Sequence, residues 1–94
     1  MNTVTDYQVR PFSTGGFVFH KAHIKNSTLR FSAWFDAEGR MLDAEAFDKL
    51  NRSRPVGKAH RLALMGTGLA HYIKNTPAGQ AEFAATMNAV GVRA

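Results

Sequence analysis

Metal sites are most often built from histidine and thiol groups, and this chain has four histidines and no cysteine. Without a thiol it cannot form a disulfide framework, a thiolate zinc site or a cysteine nucleophile. His20 and His23 have the spacing of a metal-binding pair, but residues three apart on a strand point to opposite faces of the sheet. Neither a cysteine nor a nearby acid completes a ligand set. The sequence therefore predicts no metal site and no cofactor.

Catalytic groups are not indicated either. The acids between residues 36 and 48 lie close to Arg30 and Arg40 in the chain, which favours ordinary surface ion pairs. The serines lack the sequence context of an activated nucleophile, and nothing in the sequence fixes a histidine beside one of them. The segment Gly66-Thr67-Gly68 lacks the lysine and the spacing of a phosphate-binding loop. We expect a protein that is not an enzyme and has no catalytic residues.

Positive charge is concentrated between residues 51 and 76, where five lysines and arginines occur without an acid. The net charge of the whole chain is +5, so this segment accounts for its basic character. A helix N-terminus favours acids, so cations placed there indicate a use outside the fold, although cations also simply keep a protein soluble. The expected partner is nucleic acid or, as the alternative, an acidic protein surface. The predicted binding residues are Arg52, Arg54, Lys58, His60, Arg61, His71 and Lys74.

The two histidines of this segment are predicted to share one helical face. His60, His71 and Lys74 fall together on the helix, opposite an apolar stripe that includes Leu62 and Leu69. The rings of His60 and His71 are about 16 Å apart along the helix axis, too far for shared ligation or proton transfer. This pattern predicts a solvated basic face.

Residues 29–47 are predicted to form a β-hairpin around the turn Asp36-Ala37-Glu38-Gly39. The Asp side chain can accept hydrogen bonds from the turn backbone, and the Gly can take the left-handed conformation that ends a type I turn. A one-residue bulge then places Trp34 opposite Leu42 and Phe35 opposite Met41. Both hairpin faces would carry large apolar groups, whereas a small domain covers only one. The predicted protein interface, and the surface of a predicted homodimer, is Trp34, Phe35, Met41 and Leu42.

Five aromatic residues in the strand region alternate with cations, a pattern that some single-stranded nucleic-acid platforms use for stacking. In a short chain most such residues form the core, so at least three of the five are predicted to be inside. Trp34 is the one predicted to lie at a surface. The five residues are Phe17, Phe19, Phe31, Trp34 and Phe35.

The order of predicted elements is strands first and helices afterwards. The strand region covers residues 7–50, in which 43–50 is ambiguous between strand and helix, with strand favoured to about Phe47. An amphipathic helix is predicted over 56–75 and a second helix over 77–90. Thr76 is the predicted N-cap of the second helix, and Gly91 is its predicted C-terminal cap. The predicted fold class is α+β, a three- or four-stranded antiparallel β-meander followed by two C-terminal helices packed on one sheet face. The helix residues predicted to be buried are Leu62, Met65, Leu69, Tyr72 and Phe83. Ile73 belongs to the same stripe, and the second helix also presents Ala84, Met87 and Val90.

The 94 residues are predicted to form a single domain, 1–94. No signal peptide and no apolar run of about 20 residues is present, so we expect a cytoplasmic protein without a membrane partner. The favoured function is a small non-enzymatic binding module whose basic segment, residues 52–74, contacts nucleic acid. The alternative is a protein-binding inhibitor or adaptor that acts through the hairpin face around Trp34 and the basic patch. In general character the chain is similar to nucleic-acid accessory proteins and to small phage or mobile-element proteins that block host machinery.

Overall fold

The computed structural model of the protein describes residues 3–89 as one antiparallel sheet followed by two helices. The strands lie in the sheet in their chain order, and each pairs with the next. This confirms the predicted α+β meander, with a fifth strand where a polar connection was expected over residues 51–55. The elements are β1 (Val4–Pro11), β2 (Phe17–Ile24), β3 (Arg30–Phe35), β4 (Met41–Phe47), β5 (Ser53–Arg54), α1 (Lys58–Asn75) and α2 (Pro77–Ala89).

The turns before and after β4 have the same hydrogen-bond pattern. The Asp36 carboxylate accepts hydrogen bonds from the backbone N–H groups two and four residues later, at 2.9 and 3.0 Å. The Asp48 carboxylate does the same, at 2.9 and 3.0 Å. Each turn has its left-handed residue three positions after the aspartate, Gly39 with φ 78° and Asn51 with φ 63°. The second turn creates β5, and the sequence DKLNR repeats the spacing of DAEGR.

The β3–β4 register confirms one predicted cross-strand pair and corrects the other. Phe35 pairs with Met41 as predicted, but Trp34 pairs with Asp43. Leu42 is the extra residue of the bulge and has 66% of its surface exposed. The hairpin therefore presents a carboxylate, not a leucine, beside Trp34.

A second bulge lies in β2 and changes the orientation predicted for its histidines. Lys21 has a left-handed backbone with φ 53°, and the pairing with β3 shifts between Phe19 and Ala22. Because the extra residue interrupts the alternation, Ala22 is buried and the histidines on either side of the bulge lie on the opposite, open face. His20 and His23 therefore share one face of the sheet, contrary to the prediction.

The core lies between the sheet and α1 and is dominated by phenylalanine rings. Four of the five predicted aromatics are buried, namely Phe17, Phe19, Phe31 and Phe35, and Trp34 is half-buried. The ring centroids of Phe17 and Phe35 are 4.9 Å apart, as are those of Phe19 and Phe35. The prediction that at least three of these rings are inside is thus confirmed.

The face of α1 that contacts the sheet is not the predicted leucine stripe. Leu64, Gly68 and Tyr72 are buried there, so Tyr72 is the one predicted core position of α1 that is fully inside. Four phenylalanine rings already fill most of the layer between helix and sheet, and the leucine of α1 that enters this layer is Leu64, which the predicted stripe does not include. The residues predicted buried but found exposed are Leu62 at 57%, Met65 at 44%, Leu69 at 49% and Phe83 at 46%.

The second helix packs against the C-terminal end of α1. Thr76 is its N-cap, as predicted, because the Thr76 hydroxyl accepts a hydrogen bond from the N–H of Gly79 at 2.9 Å. Tyr72 Oη donates to Glu82 Oε2 at 3.2 Å and links the two helices. Ala84 is exposed and Met87 is half-buried. The predicted positions Val90 and Gly91 lie outside the described residues.

Candidate anion-binding site

The first turn of α1 lies at the end of the sheet where β3 begins and β4 ends. The His60 ring packs edge-on against Phe31, with 5.1 Å between ring centroids. Phe31 pairs with Ala46, which in turn pairs with Arg54 on β5. The start of the helix and the short edge strand are therefore neighbours across the end of the sheet.

Asp48 holds two of the predicted arginines at this end. Its Oδ2 atom accepts a hydrogen bond from Arg52 Nε at 2.9 Å and from Arg54 Nε at 3.0 Å. The backbone hydrogen bond from Arg52, together with both guanidinium groups, lowers the Asp48 pKa to about 2. The carboxylate thus stays ionised across the physiological range and keeps both arginine side chains in place.

Arg30 joins the same group, although it is 22 residues away from Arg52 in the chain. It donates from Nη2 to Asn51 Oδ1 at 2.6 Å, and its guanidinium lies 5.6 Å from the centre of the Phe47 ring. From the sequence, Arg30 is expected to pair with acids of the hairpin and is one of the cations that alternate with the strand aromatics, but it is not among the predicted binding residues. Arg30 pairs with Phe47 in the β3–β4 register. This pairing places Arg30 beside the turn that follows β4 and holds Arg52.

Lys58 and Arg61 complete the group from the helix. The side of α1 that faces β1 is marked by Ala59, Ala63 and Ala70, which line a groove with that strand. With 100° between successive helical residues, Lys58 and Arg61 lie on the other side, toward β4 and β5, and both are exposed.

The electrostatics of this region favour anions. We call five of its cationic residues the basic end. The α1 N-terminus has no acid in its first turn and no side-chain cap, so its backbone N–H groups add to the positive potential there. Between residues 48 and 61 the one acid is Asp48. The basic end comprises Arg30, Arg52, Arg54, Lys58 and Arg61.

The remaining predicted binding residues lie elsewhere. His60 faces Phe31, and His71 packs against Phe17 and Phe19 with centroid distances of 4.7 and 5.7 Å. This burial lowers the His71 pKa below its ordinary value. Lys74 lines the groove between α1 and β1, about 20 Å along the helix from Arg61. The prediction that both histidines belong to a solvated basic face is therefore wrong, because both rings pack against phenylalanine rings of the sheet.

The predicted hairpin interface is also divided. Phe35 is completely buried and Met41 is half-buried against the core, so neither presents a surface. Trp34 is half-buried on the open face, in the same cross-strand row as Val18 and Asp43. Only Leu42 is strongly exposed. The register places the large side chains of the hairpin mostly in the core. Exposed large apolar side chains lie on both helices and also outside them, with Leu50 in the turn after β4 exposed over 72% of its surface.

A shallow groove on the open face adjoins the basic end. It has a volume of about 570 Å³ and lies on the face of the sheet opposite α1, so Arg30 is the one residue of the basic end that lines it. Arg30 belongs to both features, so the positive surface continues from the basic end across β3 to β1. The groove is lined by Gln8, Val9, Arg10, His20, Lys21, Arg30 and Ser32.

Neither helix within residues 3–89 combines the length and apolar character needed to cross a bilayer. In the same part of the chain, no three His, Asp or Glu side chains are grouped as ligands for a metal ion. Comparisons with protein-family models, with curated proteins and with solved structures find no match to this chain.

Proposed function

We propose that the protein binds nucleic acid through the phosphate backbone, with the basic end as the contact surface. The observation that carries this proposal is the shared contact of Arg52 and Arg54 with one carboxylate oxygen of Asp48. Both contacts use Nε. Within residues 3–89 the terminal nitrogens of these two guanidinium groups make no hydrogen bond to another residue.

This arrangement suits a phosphate ligand. A guanidinium group held from its Nε side still offers its Nη donors, and two donors on one planar group match two phosphate oxygens. Because Asp48 already restricts both side chains, less rotamer freedom is lost when the ligand binds. Arg54 has 48% and Arg52 has 61% of its side chain exposed, so a backbone phosphate can reach both.

The expected contacts carry little sequence information. Phosphate contacts fix the position of a protein on nucleic acid, whereas base edges specify sequence. The cations of the basic end come from three elements around the end of the sheet, and the open-face groove extends them toward β1. One strand of a nucleic acid can lie along such a surface with its phosphates beside the cations. Trp34, on the same open face as the groove, offers an aromatic side chain on which a base can stack.

The test compares two charge reversals on the same helix. Arg61→Glu removes a member of the basic end, and Lys74→Glu makes a like change on the other side of α1, in the groove beside β1. Titrations with single- and double-stranded DNA and RNA over about 50 to 200 mM salt should show binding that weakens steeply with salt. Arg61→Glu should weaken binding and reduce the slope of log K against log salt by about one. Lys74→Glu should change neither, and both variants should keep the wild-type melting temperature.

The proposal is refuted if the wild-type protein does not bind nucleic acid at about 50 mM salt, or if both variants lose equal affinity. Equal losses would mean that the overall charge of the protein, and not the basic end, determines the binding.

A second candidate function, protein binding, is favoured by the apolar surface on the outside of α1. Leu62, Met65 and Leu69 follow the spacing of a helical stripe and are each about half exposed. Contiguous apolar surface of several hundred Å² on a small protein indicates an interface. Binding of this kind would persist at high salt and would be lost in a Leu62→Ser, Leu69→Ser double variant.

A further inference from the structure

The first strand of the sheet is a free edge. Among the strands of residues 3–89, β1 pairs only with β2, and it runs for eight residues. The opposite edge is β5, which has two residues and pairs only with Ala46 and Phe47, and beyond it the outer side of β4, which the bulge at Leu42 interrupts. A long edge strand offers its outward N–H and C=O groups to another strand unless the sequence prevents it. β1 is therefore the place where this sheet can be extended.

The backbone groups that β1 offers can be identified from its pairing with β2. The N–H of Phe12 donates to the carbonyl of Gly16 at 2.7 Å, which directs the backbone of Phe12 toward β2. In an antiparallel ladder this direction alternates with each residue. The pairing shifts between Gln8 and Asp6, but the extra residue there belongs to β2, where Lys21 is left-handed, so the alternation along β1 continues to Asp6. A second shift makes Thr5 an extra residue of β1 and ends the regular stretch there. The N–H and C=O groups of Val9 and Tyr7 therefore point away from β2, at the free edge.

We infer that a second copy of this chain pairs with β1 in an antiparallel register centred on Gln8. In this register Tyr7 lies opposite Val9 of the second copy, and both have outward backbone groups, so they form a hydrogen-bonded pair. Gln8 lies opposite Gln8 as a non-hydrogen-bonded pair. A two-fold axis passes between the two glutamines, and each contact therefore occurs twice.

The side chains are self-complementary in this register. Asp6 lies opposite Arg10 of the second copy, so each end of the pairing brings a carboxylate beside a guanidinium. Opposite charges at directly facing positions stabilise antiparallel pairs, and like charges destabilise them. Tyr7 and Val9 of the two copies meet on the side of the sheet that carries α1. A shift of one residue either way would pair an outward backbone group with an inward one. It would also separate Asp6 from Arg10 and Tyr7 from Val9 of the second copy.

The same register accounts for apolar surface beside β1. A groove of about 1010 Å³ runs between β1 and α1, and Val4, Tyr7 and Val9 form its strand side. Val9 has 40% of its surface exposed. A second β1 strand covers the outer edge of these residues. Pro11 has no N–H to donate and ends the pairing. Because the contact joins β1 of one copy to β1 of the other, the dimer uses this edge of both chains, and the assembly closes at two copies.

A disulfide trap tests the register directly. Residues facing each other in a non-hydrogen-bonded pair have Cα atoms about 4.5 Å apart, within the range that a disulfide spans. Because the chain has no cysteine, Gln8→Cys introduces a single thiol. Mild oxidation should link Gln8→Cys chains into covalent dimers in high yield. The control Ser13→Cys, in the exposed turn after β1, should stay largely monomeric. Equal cross-linking of the two variants, or none of either, overturns the register.

Charge exchange gives an independent test without a covalent bond. Sedimentation of the wild-type protein should show the mass of two 10.3 kDa chains. Asp6→Arg and Arg10→Asp should each weaken the dimer about tenfold, since each turns two attractive pairs into repulsive ones.

A mixture of the two variants should dimerise again, because arginines of one chain then face aspartates of the other. A wild-type monomer at about 1 mM, the weak end of specific association, overturns the proposal. So does a mixture that dimerises no better than its components. None of these measurements involves nucleic acid, so their failure leaves the function proposed for the basic end unaffected.

Discussion

Two glycines of α1 should respond in opposite ways to the same substitution. A Cβ atom at Gly68 would lie 2.0 Å from Cε2 and 2.5 Å from Cδ2 of the Phe35 ring. A Cβ atom at Gly66 would have no heavy atom within 4 Å among the described residues. Gly68 therefore sets the distance between helix and sheet, and Gly66 only lowers the helix propensity.

The size of the effect follows from how firmly Phe35 is held. Its ring is completely buried and lies 4.9 Å from both Phe17 and Phe19, so it cannot rotate away from an added methyl group. The helix must move instead, and such overpacking costs typically 1–3 kcal/mol and occasionally more. Alanine regains about 1 kcal/mol of helix propensity at either position. Because the added Cβ would lie only 2.0 Å from the ring, the upper end of the overpacking range applies, and we expect Gly68→Ala to destabilise the protein by about 2 kcal/mol. Gly66→Ala should stabilise it by up to about 1 kcal/mol.

Urea unfolding followed by circular dichroism measures both variants against the wild-type protein. Since about 1 kcal/mol shifts the melting temperature of a domain of this size by roughly 4–8 °C, the two variants should differ clearly in thermal melts as well. Phe35→Leu should recover part of the loss in the Gly68→Ala background, because the two sites share one contact. Equal stability of Gly66→Ala and Gly68→Ala would refute the close approach of α1 to Phe35.

Two titrations give the remaining predictions. Burial against Phe17 and Phe19 lowers the His71 pKa, so His71 is protonated at a higher pH in the unfolded chain than in the folded protein. The free energy of unfolding should therefore fall as the pH drops below about 6.5. The urea midpoint of His71→Phe should depend less on pH between about 8 and 5. The Asp48 pKa is lowered to about 2, so its contribution is present above about pH 4 and lost as the pH falls toward 2. Asp48→Asn should remove this acid-induced loss in acid unfolding curves, whereas Asp43→Asn, at an exposed position on β4, should retain it.

The order of elements could be predicted because it depends on local patterns. Alternating apolar residues, turn residues and the Thr76–Pro77 start signal act within a few residues of each other. Which face of α1 contacts the sheet could not be predicted from such local patterns. A leucine stripe is normally the core face of a helix, but here the core is already filled by phenylalanine side chains from the two strands β2 and β3. The face that contacts the sheet is consequently built around Leu64, Gly68 and Tyr72, with the rings of His60 and His71 beside them.

The candidate site was partly predictable for the same reason. Arg52, Arg54, Lys58 and Arg61 are close in sequence, so a charge count finds them. Arg30 arrives through the β3–β4 register and carries no local signal. One signal was readable but missed: the spacing of aspartate, left-handed residue and arginine in residues 36–40 recurs in residues 48–52. That repeat predicts a second hairpin turn and, with it, β5.

The orientation of α1 links the fold to the proposed function. Turning the leucine stripe toward the sheet would require a rotation of about 120° about the helix axis. Arg61 would then lie on the β1 side of the helix, away from Arg54 and Asp48. In the observed orientation Gly68 and Tyr72 take the inner positions, Arg61 faces β5, and the leucines face outward. The contact of Gly68 with Phe35 therefore fixes two surfaces together: it brings the helical cations to the basic end and leaves an apolar stripe on the outside of the molecule.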